Sequence, residues 1–255
     1  MIYFVGAGPG APDLITVRGM RLIQQADVII YAGSLVNPKL LEYASKDAQI
    51  HNSATMTIDE VTDVMLTADA ADKRVVRLHT GDQSLYGAVR EQMDILDAAG
   101  RKYESCPGVS ACFGAAASLN IEYTLPDVSQ TLIITRMEGV TSVPEKESIQ
   151  SLAAHNASMA IYLSSGMLGE LSRRLIEGGL KNNTPAAIVY KATWPEERAF
   201  VCTVGSLEVT GKENGITKTA IVLVGDIITH VSYGRSKLYD PLFSTGFRDA
   251  RPAED

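Results

Sequence analysis

The sequence predicts an α/β fold, and three observations carry that expectation. Short apolar runs rich in Val, Ile and Tyr alternate with longer segments whose apolar residues recur three and four apart. Most of the short runs are continuous rather than alternating, as expected of strands covered on both faces. The first run leads directly into a glycine-rich loop and then a helix-like stretch, a place where the backbone can approach a ligand closely.

Taken in order, strands are expected at 2–5, 28–31, 75–79, 132–135, 159–163, 187–190 and 220–224. Helical spacing marks 16–26, 57–71, 85–99, 109–120, 145–154 and 167–178. Thr57-Ile58-Asp59-Glu60 opens one helix with the spacing of a capping box, and Gly100 closes another after Ala98-Ala99. The segment Tyr123-Thr124-Leu125-Pro126-Asp127 breaks the pattern and places a domain junction there. The expected organisation is an N-terminal domain at 1–122, a C-terminal domain at 123–230 and a peripheral tail at 231–255. The tail carries Gly234, Pro241, Gly246 and Pro252 without a clear period. No internal repeat or low-complexity tract is present.

Composition narrows the function classes. At 255 residues, 45% hydrophobic and 21% charged, the chain has the balance of a folded soluble protein with a sizeable core. No apolar run approaches the roughly 20 residues that span a bilayer, and Ile2-Tyr3-Phe4-Val5 opens the chain without a basic leader, so a cytoplasmic location and no membrane partner are expected. The three cysteines, Cys106, Cys112 and Cys202, show no CxxC spacing, so neither a disulfide framework nor a metal site is expected. A net charge of -7 without a cluster of Lys and Arg excludes the footprint of a nucleic-acid binder. An anionic ligand would have to find its cations locally.

The loop Gly6-Ala7-Gly8-Pro9-Gly10-Ala11-Pro12-Asp13 satisfies a dinucleotide fingerprint at Gly6, Gly8 and Ala11. Two features oppose that reading. Pro9 and Pro12 remove N–H donors from the segment that would cradle a pyrophosphate, and the second strand runs into Ala32-Gly33 with no acidic residue for a ribose. A phosphate loop of the nucleotide triphosphatases is excluded because no Lys-Ser or Lys-Thr follows. On this motif alone, a tight strand-to-helix turn without a ligand stands beside a ligand loop.

The loop has company further along the chain. His79-Thr80-Gly81-Asp82 ends a strand, Tyr86-Gly87 follows, and Cys106-Pro107-Gly108-Val109-Ser110-Ala111 precedes a small-residue helix. This ordered series resembles the tetrapyrrole methylases and spans most of the chain. Within the family, the likeness is to members acting on carbon 11 of precorrin-4 or its cobalt form. It is carried by residues 31–36, 76–82, Thr135-Arg136-Met137-Glu138-Gly139 with Val143-Pro144-Glu145, and Val189-Tyr190-Lys191-Ala192-Thr193-Trp194-Pro195. Thr80-Gly81-Asp82 stands where sibling enzymes read GGD, and Val140 departs from an Arg expected after the glycine.

The resemblance implies two α/β domains of the class III methyltransferase type, with S-adenosylmethionine in the cleft between them, a tetrapyrrole acceptor and a homodimer. By match, donor contacts fall on Pro9, Thr80, Gly81, Asp82, Leu85, Ser110 and Ala111, and in the second domain on Leu163 and Ala192. Arg18, Arg136 and Lys191 are the expected cations for acceptor carboxylates, whereas Arg173-Arg174 reads as a solvated helix face. Asp82 is also open to a role as a helix cap, and His79 to a structural role rather than that of a general base. Trp194 is expected in the packing between domains, with stacking on a ligand as the alternative. No catalytic residue is assigned. Another tetrapyrrole or diphthine methyltransferase, and a non-catalytic binding module, remain alternatives.

Overall fold

A computed structural model of the chain describes residues 1–229, 232–234 and 236–251. The chain divides into two compact units, Met1–Ala115 with Lys191–Glu197, and Ala116–Tyr190 with Arg198–Asp255. The division falls a few residues before the expected junction at 122–123, inside a helix. The excursion Lys191–Glu197 was not anticipated: it takes Ala192, expected in the second domain, into the first unit.

The first unit is built on five parallel strands, β1 (Ile2–Gly6), β2 (Val28–Tyr31), β3 (Gln49–Asn52), β4 (Val75–His79) and β5 (Tyr103–Cys106), in the order β3-β2-β4-β1-β5. Alternation along the strands serves two cores. Val5, Ile29, Val76 and Leu78 pack with Ile23 of α1 (Val17–Gln24), whereas Ile2, Phe4, Ile30 and Val75 pack with Val61 and Met65 of α2 (Ile58–Ala70) and Leu96 of α3 (Val89–Ala98). Each large apolar side chain fully buried in this way contributes about 1.5–3 kcal/mol.

The helix starts follow from local chemistry. Thr16 accepts from the Gly19 N–H at 3.0 Å, and Thr57 and Glu60 complete the expected capping box. The helix expected at 85–99 begins only at Val89, because Tyr86 and Ala88 hold positive φ values of 55° and 48° that no α-helix tolerates. Strands β3 and β5 were not predicted from the sequence. Both are edge strands with half-exposed, polar-rich sequences, QIHN and YESC.

α4 (Ala111–Leu119) spans the division between units. The second unit carries β6 (Leu132–Arg136), β7 (Ser158–Tyr162), β8 (Pro185–Tyr190), β9 (Arg198–Thr203) and β10 (Ala220–Val224), in the order β6-β7-β10-β8-β9. Only β6 and β7 pair in parallel; β10 runs antiparallel to β7 and β8, and β8 to β9. Leu171 and Leu175 of α6 (Leu168–Glu177) join Ile149 and Ala153 of α5 (Ile149–Ala153) and Leu207 of α7 (Leu207–Glu213) in a core over Met159, Ile161, Ile188 and Val222. Of the expected tail at 231–255, the described part holds a short 3-10 turn at Lys237–Tyr239 and a bridge between Thr245 and Arg248. Positions 231, 235 and 252–255 lie outside the described residues.

Candidate functional site

Strand order selects the place to look. In the first unit, α1 follows β1 onto one face of the sheet and α3 follows β4 onto the other, and β1 and β4 are neighbours. Their carboxyl ends therefore flank a topological switch point, where open α/β sheets bind ligands. The glycine loop leaves β1 there, and the segment 80–88 leaves β4.

The two segments are stitched together through the backbone. The Ala7 N–H donates to His79 O at 2.7 Å, and Gly8 and Gly81 exchange hydrogen bonds of 3.2 and 2.8 Å. Both of these glycines hold positive φ, 81° and 61°. The segment after β5 closes against them. A Cβ on Gly108 would lie 2.3 Å from Gly81 O, and one on Gly6 would lie 2.6 Å from Gly108 Cα, so neither position admits a side chain without backbone movement.

The glycine loop is held from two further directions. Buried Asn37 donates to Gly10 O at 2.8 Å. From the excursion Lys191–Glu197, Trp194 Nε1 donates to Pro9 O at 3.1 Å, and Thr193 Oγ1 accepts from the Ala11 N–H at 3.0 Å. With the Gly8 and Ala11 N–H groups bound inside the protein and none on Pro9, the loop has no row of N–H groups for a pyrophosphate. That geometry agrees with the sequence argument against a dinucleotide.

Asp82 is the carboxylate of this region. Oδ1 accepts from the N–H and hydroxyl of Ser84, and Oδ2 accepts from the Gly108 N–H at 2.8 Å. Partial burial opposes its ionisation, but these hydrogen bonds outweigh burial and hold its carboxyl below the ordinary range. Asp82 thus ties the segment after β4 to the segment after β5. This is closer to the capping alternative than to a carboxylate waiting for a donor.

Behind these loops lies a buried polar cluster that the sequence did not single out as a group. Arg77 is 7% exposed and donates from Nε to Gln92 Oε1 at 3.1 Å and from Nη1 to Ile30 O at 3.3 Å. No carboxylate among the described residues pairs with it, and burial lowers its pKa to about 10. Gln92 in turn donates to Ala88 O at 2.9 Å. His79 is stacked beside Phe4; burial, aided by the Arg77 charge, pushes its pKa down to about 3. The imidazole is neutral near pH 7 and a poor proton acceptor, as the structural reading of His79 requires.

The remaining expected site residues fall as follows. Thr80 is exposed, Leu85 half-buried, Ser110 buried at the mouth of α4, and Ala111 opens that helix. Ala192 is buried between Lys191 and Thr193, which hold positive φ values of 46° and 69°. Trp194, expected in the packing between domains, packs its ring against Gly10 of the first unit. Lys191 lies 3.7 Å from Glu196, with its ammonium 5.5 Å from the centre of the Trp194 ring. Arg18 is exposed and paired with Glu104 at 2.9 Å.

In the second unit, Leu163 follows β7 at φ 53° with 66% of its surface exposed, an arrangement a leucine adopts only under constraint. Next to it, buried Ser164 accepts from the Met137 N–H and donates to Tyr162 O. Arg136 donates to the carbonyls of Met137, Thr141 and Ser142 at 2.9–3.1 Å. Its guanidinium shapes the loop at 137–142 rather than standing free for an anion. Asn37, Thr193, Arg77 and Gln92 were missed as parts of the site, although Thr193-Trp194 and Arg77 lay inside motifs already singled out.

The family described as Tetrapyrrole (Corrin/Porphyrin) Methylases matches residues 1–208. The chain is 51% identical over 247 residues to a cobalt-precorrin-4 C(11)-methyltransferase of Methanocaldococcus jannaschii, covering 97% of this chain and 95% of the relative. It is 40% identical to a precorrin-4 C(11)-methyltransferase of Mycobacterium tuberculosis, covering 93% and 95%. Among solved structures, a cobalamin biosynthetic cobalt precorrin-4 methyltransferase superposes with a TM-score of 0.87 at 44% identity, covering 89% of this chain and 95% of that one.

Proposed function

Since the chain belongs to the tetrapyrrole methylases, we propose that it methylates carbon 11 of precorrin-4 in corrin synthesis, with S-adenosylmethionine as donor. The observation that carries this reading is 51% identity across 97% of the chain to a relative bearing that activity in its name. The greater identity to the cobalt-precorrin-4 enzyme favours a cobalt-bearing acceptor, whose metal arrives as part of the substrate.

The first unit fits the donor. Gly6 and Gly108 let the loops after β1, β4 and β5 pack backbone to backbone, and the Asp82 carboxylate ties two of them together, so the donor pocket proposed beside them has fixed walls. Pro9, Thr80, Gly81, Leu85, Ser110, Ala111, Leu163 and Ala192 are proposed as donor contacts, with Asp82 fixing the loops. When bound, S-adenosylmethionine supplies an electrophilic methyl group whose sulfur leaves as a neutral thioether. The chain therefore needs no nucleophile of its own. Its work is to hold the methyl in line with the acceptor carbon and to exclude water.

Of the three expected acceptor cations, Arg18 pairs with Glu104, Lys191 with Glu196, and Arg136 donates to three carbonyls, so none is singled out as the acceptor contact. Arg136 is assigned to shaping the loop at 137–142. A homodimer in the cytoplasm completes the reading; no helix among the described residues is long and apolar enough to cross a membrane. Incubation with methyl-labelled donor and a panel of precorrins, with and without cobalt, should place the label on carbon 11. Label at any other ring position would overturn the assignment.

A further inference from the structure

The excursion Lys191–Glu197 has no evident reason to leave its sheet. β8 and β9 are adjacent antiparallel strands, and a two- to five-residue hairpin would join them. Instead the chain spends seven residues in the other unit, two of them at positive φ. One of these, Thr193, is β-branched, for which φ 69° is strained. Strain of that kind persists only where surrounding contacts enforce it, and here the contacts are specific. Thr193 binds the Ala11 N–H, Trp194 binds Pro9 O, and the Thr193 N–H is held by Glu197. The glycine loop is shaped to receive them. A Cβ on Gly10 would lie 2.2 Å from the Trp194 ring, and one on Gly114 would lie 3.0 Å from Thr193 and 3.1 Å from Pro9.

We infer that Thr193 and Trp194 form a strap that sets the conformation of the glycine loop for methyl-donor binding, as positioning residues that act through Pro9 and Ala11. The inference rests on the reading that this loop holds the donor. Trp194 is the sole tryptophan of the chain, so its emission reports the state of the strap.

The test compares four proteins by calorimetric titration with S-adenosylhomocysteine. Thr193→Val preserves shape and branching and removes only the hydroxyl that binds Ala11. Thr193→Ser keeps that hydroxyl, and Trp194→Phe keeps an aromatic ring on Gly10 but removes the N–H to Pro9. Loss of one such hydrogen bond should raise the dissociation constant about three- to tenfold in Thr193→Val and Trp194→Phe. Thr193→Ser should bind like the wild type, and the Michaelis constant for the tetrapyrrole should stay unchanged in all three. Wild-type tryptophan emission should change on saturation with S-adenosylhomocysteine. Wild-type affinity in both Thr193→Val and Trp194→Phe overturns the strap. So does a Thr193→Ser protein as weak as Thr193→Val, or an equal loss for donor and acceptor. Failure of the wild type itself to bind S-adenosylhomocysteine removes the underlying donor reading, a result separate from wild-type binding with unaffected variants.

Discussion

Asp82 and His79 are three residues apart and have opposite electrostatic fates. Asp82 is held ionised by N–H and hydroxyl donors, so its carboxyl is stronger in the folded chain than in the unfolded one. That stability is present above the unfolded value and lost as the pH falls through the depressed folded value. Asp82→Asn keeps one acceptor oxygen and should lower stability by about 1–2 kcal/mol in chemical denaturation at pH 7, with the gap to wild type closing on acidification below the ordinary carboxylate range. A gap that stays constant with pH would remove charge from the explanation. His79 has its pKa lowered to about 3, so the unfolded chain takes up a proton below its ordinary value of 6.5 while the folded chain does not. Its contribution is complete above that value and should decline on acidification from 6.5 towards 3, by at most about 1.4 kcal/mol per pH unit. The check is NMR: the His79 ring signals should not titrate between pH 8 and 5. At this scale the sequence was informative about residue type and silent about partners. Asp82 was legible as important because it ends a strand beside a glycine, but nothing local says that its second oxygen binds Gly108, 26 positions away. Arg136 was expected to meet acceptor carboxylates, and its three carbonyl partners were not foreseen because they come from a loop whose path no periodicity encodes.

Among the elements, legibility followed burial. The central strands β1 and β2 are continuous apolar runs, β4 is apolar but for Arg77 and His79, and all three were read close to their observed bounds, whereas β3, β5 and β9 are edge strands whose polar faces mask the pattern. The start of α3 was misplaced for a different reason. Leu85 and Val89 continue its helical spacing, but Tyr86 and Ala88 turn left-handed, and the geometry is held from a distance by the line Arg77, Gln92, Ala88. That line is itself testable. Gln92→Leu leaves the buried Arg77 Nε–H and the Ala88 carbonyl without their partner and should cost about 1–3 kcal/mol of stability. Gln92→Glu should recover the Arg77 contact as an ion pair but not the bond to Ala88. Faster amide exchange at 84–88 in both variants, with stability restored only in Gln92→Glu, is the expected signature. Undisturbed exchange in that segment would place the origin of the left-handed turn elsewhere.

For the whole molecule, the motif order along the chain was enough to anticipate the fold class and the family, because the glycine loop and the segment at 80–87 follow β1 and β4, whose carboxyl ends flank the switch point of the first sheet. What the motifs left out was the path between them, and so the assignment of 191–197 to the first unit was unforeseen. The proposed dimer is checked by light scattering coupled to size exclusion, with about twice the 27.4 kDa chain mass expected across micromolar concentrations. A mass equal to one chain at every concentration would exclude it. The seven-residue excursion also sets an order of events during protein synthesis. All five strands of the first sheet have left the ribosome once Cys106 is clear, and nothing in their pairing waits for later residues. Pro9 and Ala11 receive their partners only when Thr193 and Trp194 emerge, more than three-quarters of the way along the 255-residue chain. A nascent chain stalled before that point lacks both fastenings of the glycine loop, so on the proposed role of the strap full affinity for the methyl donor would arrive as a late step of translation.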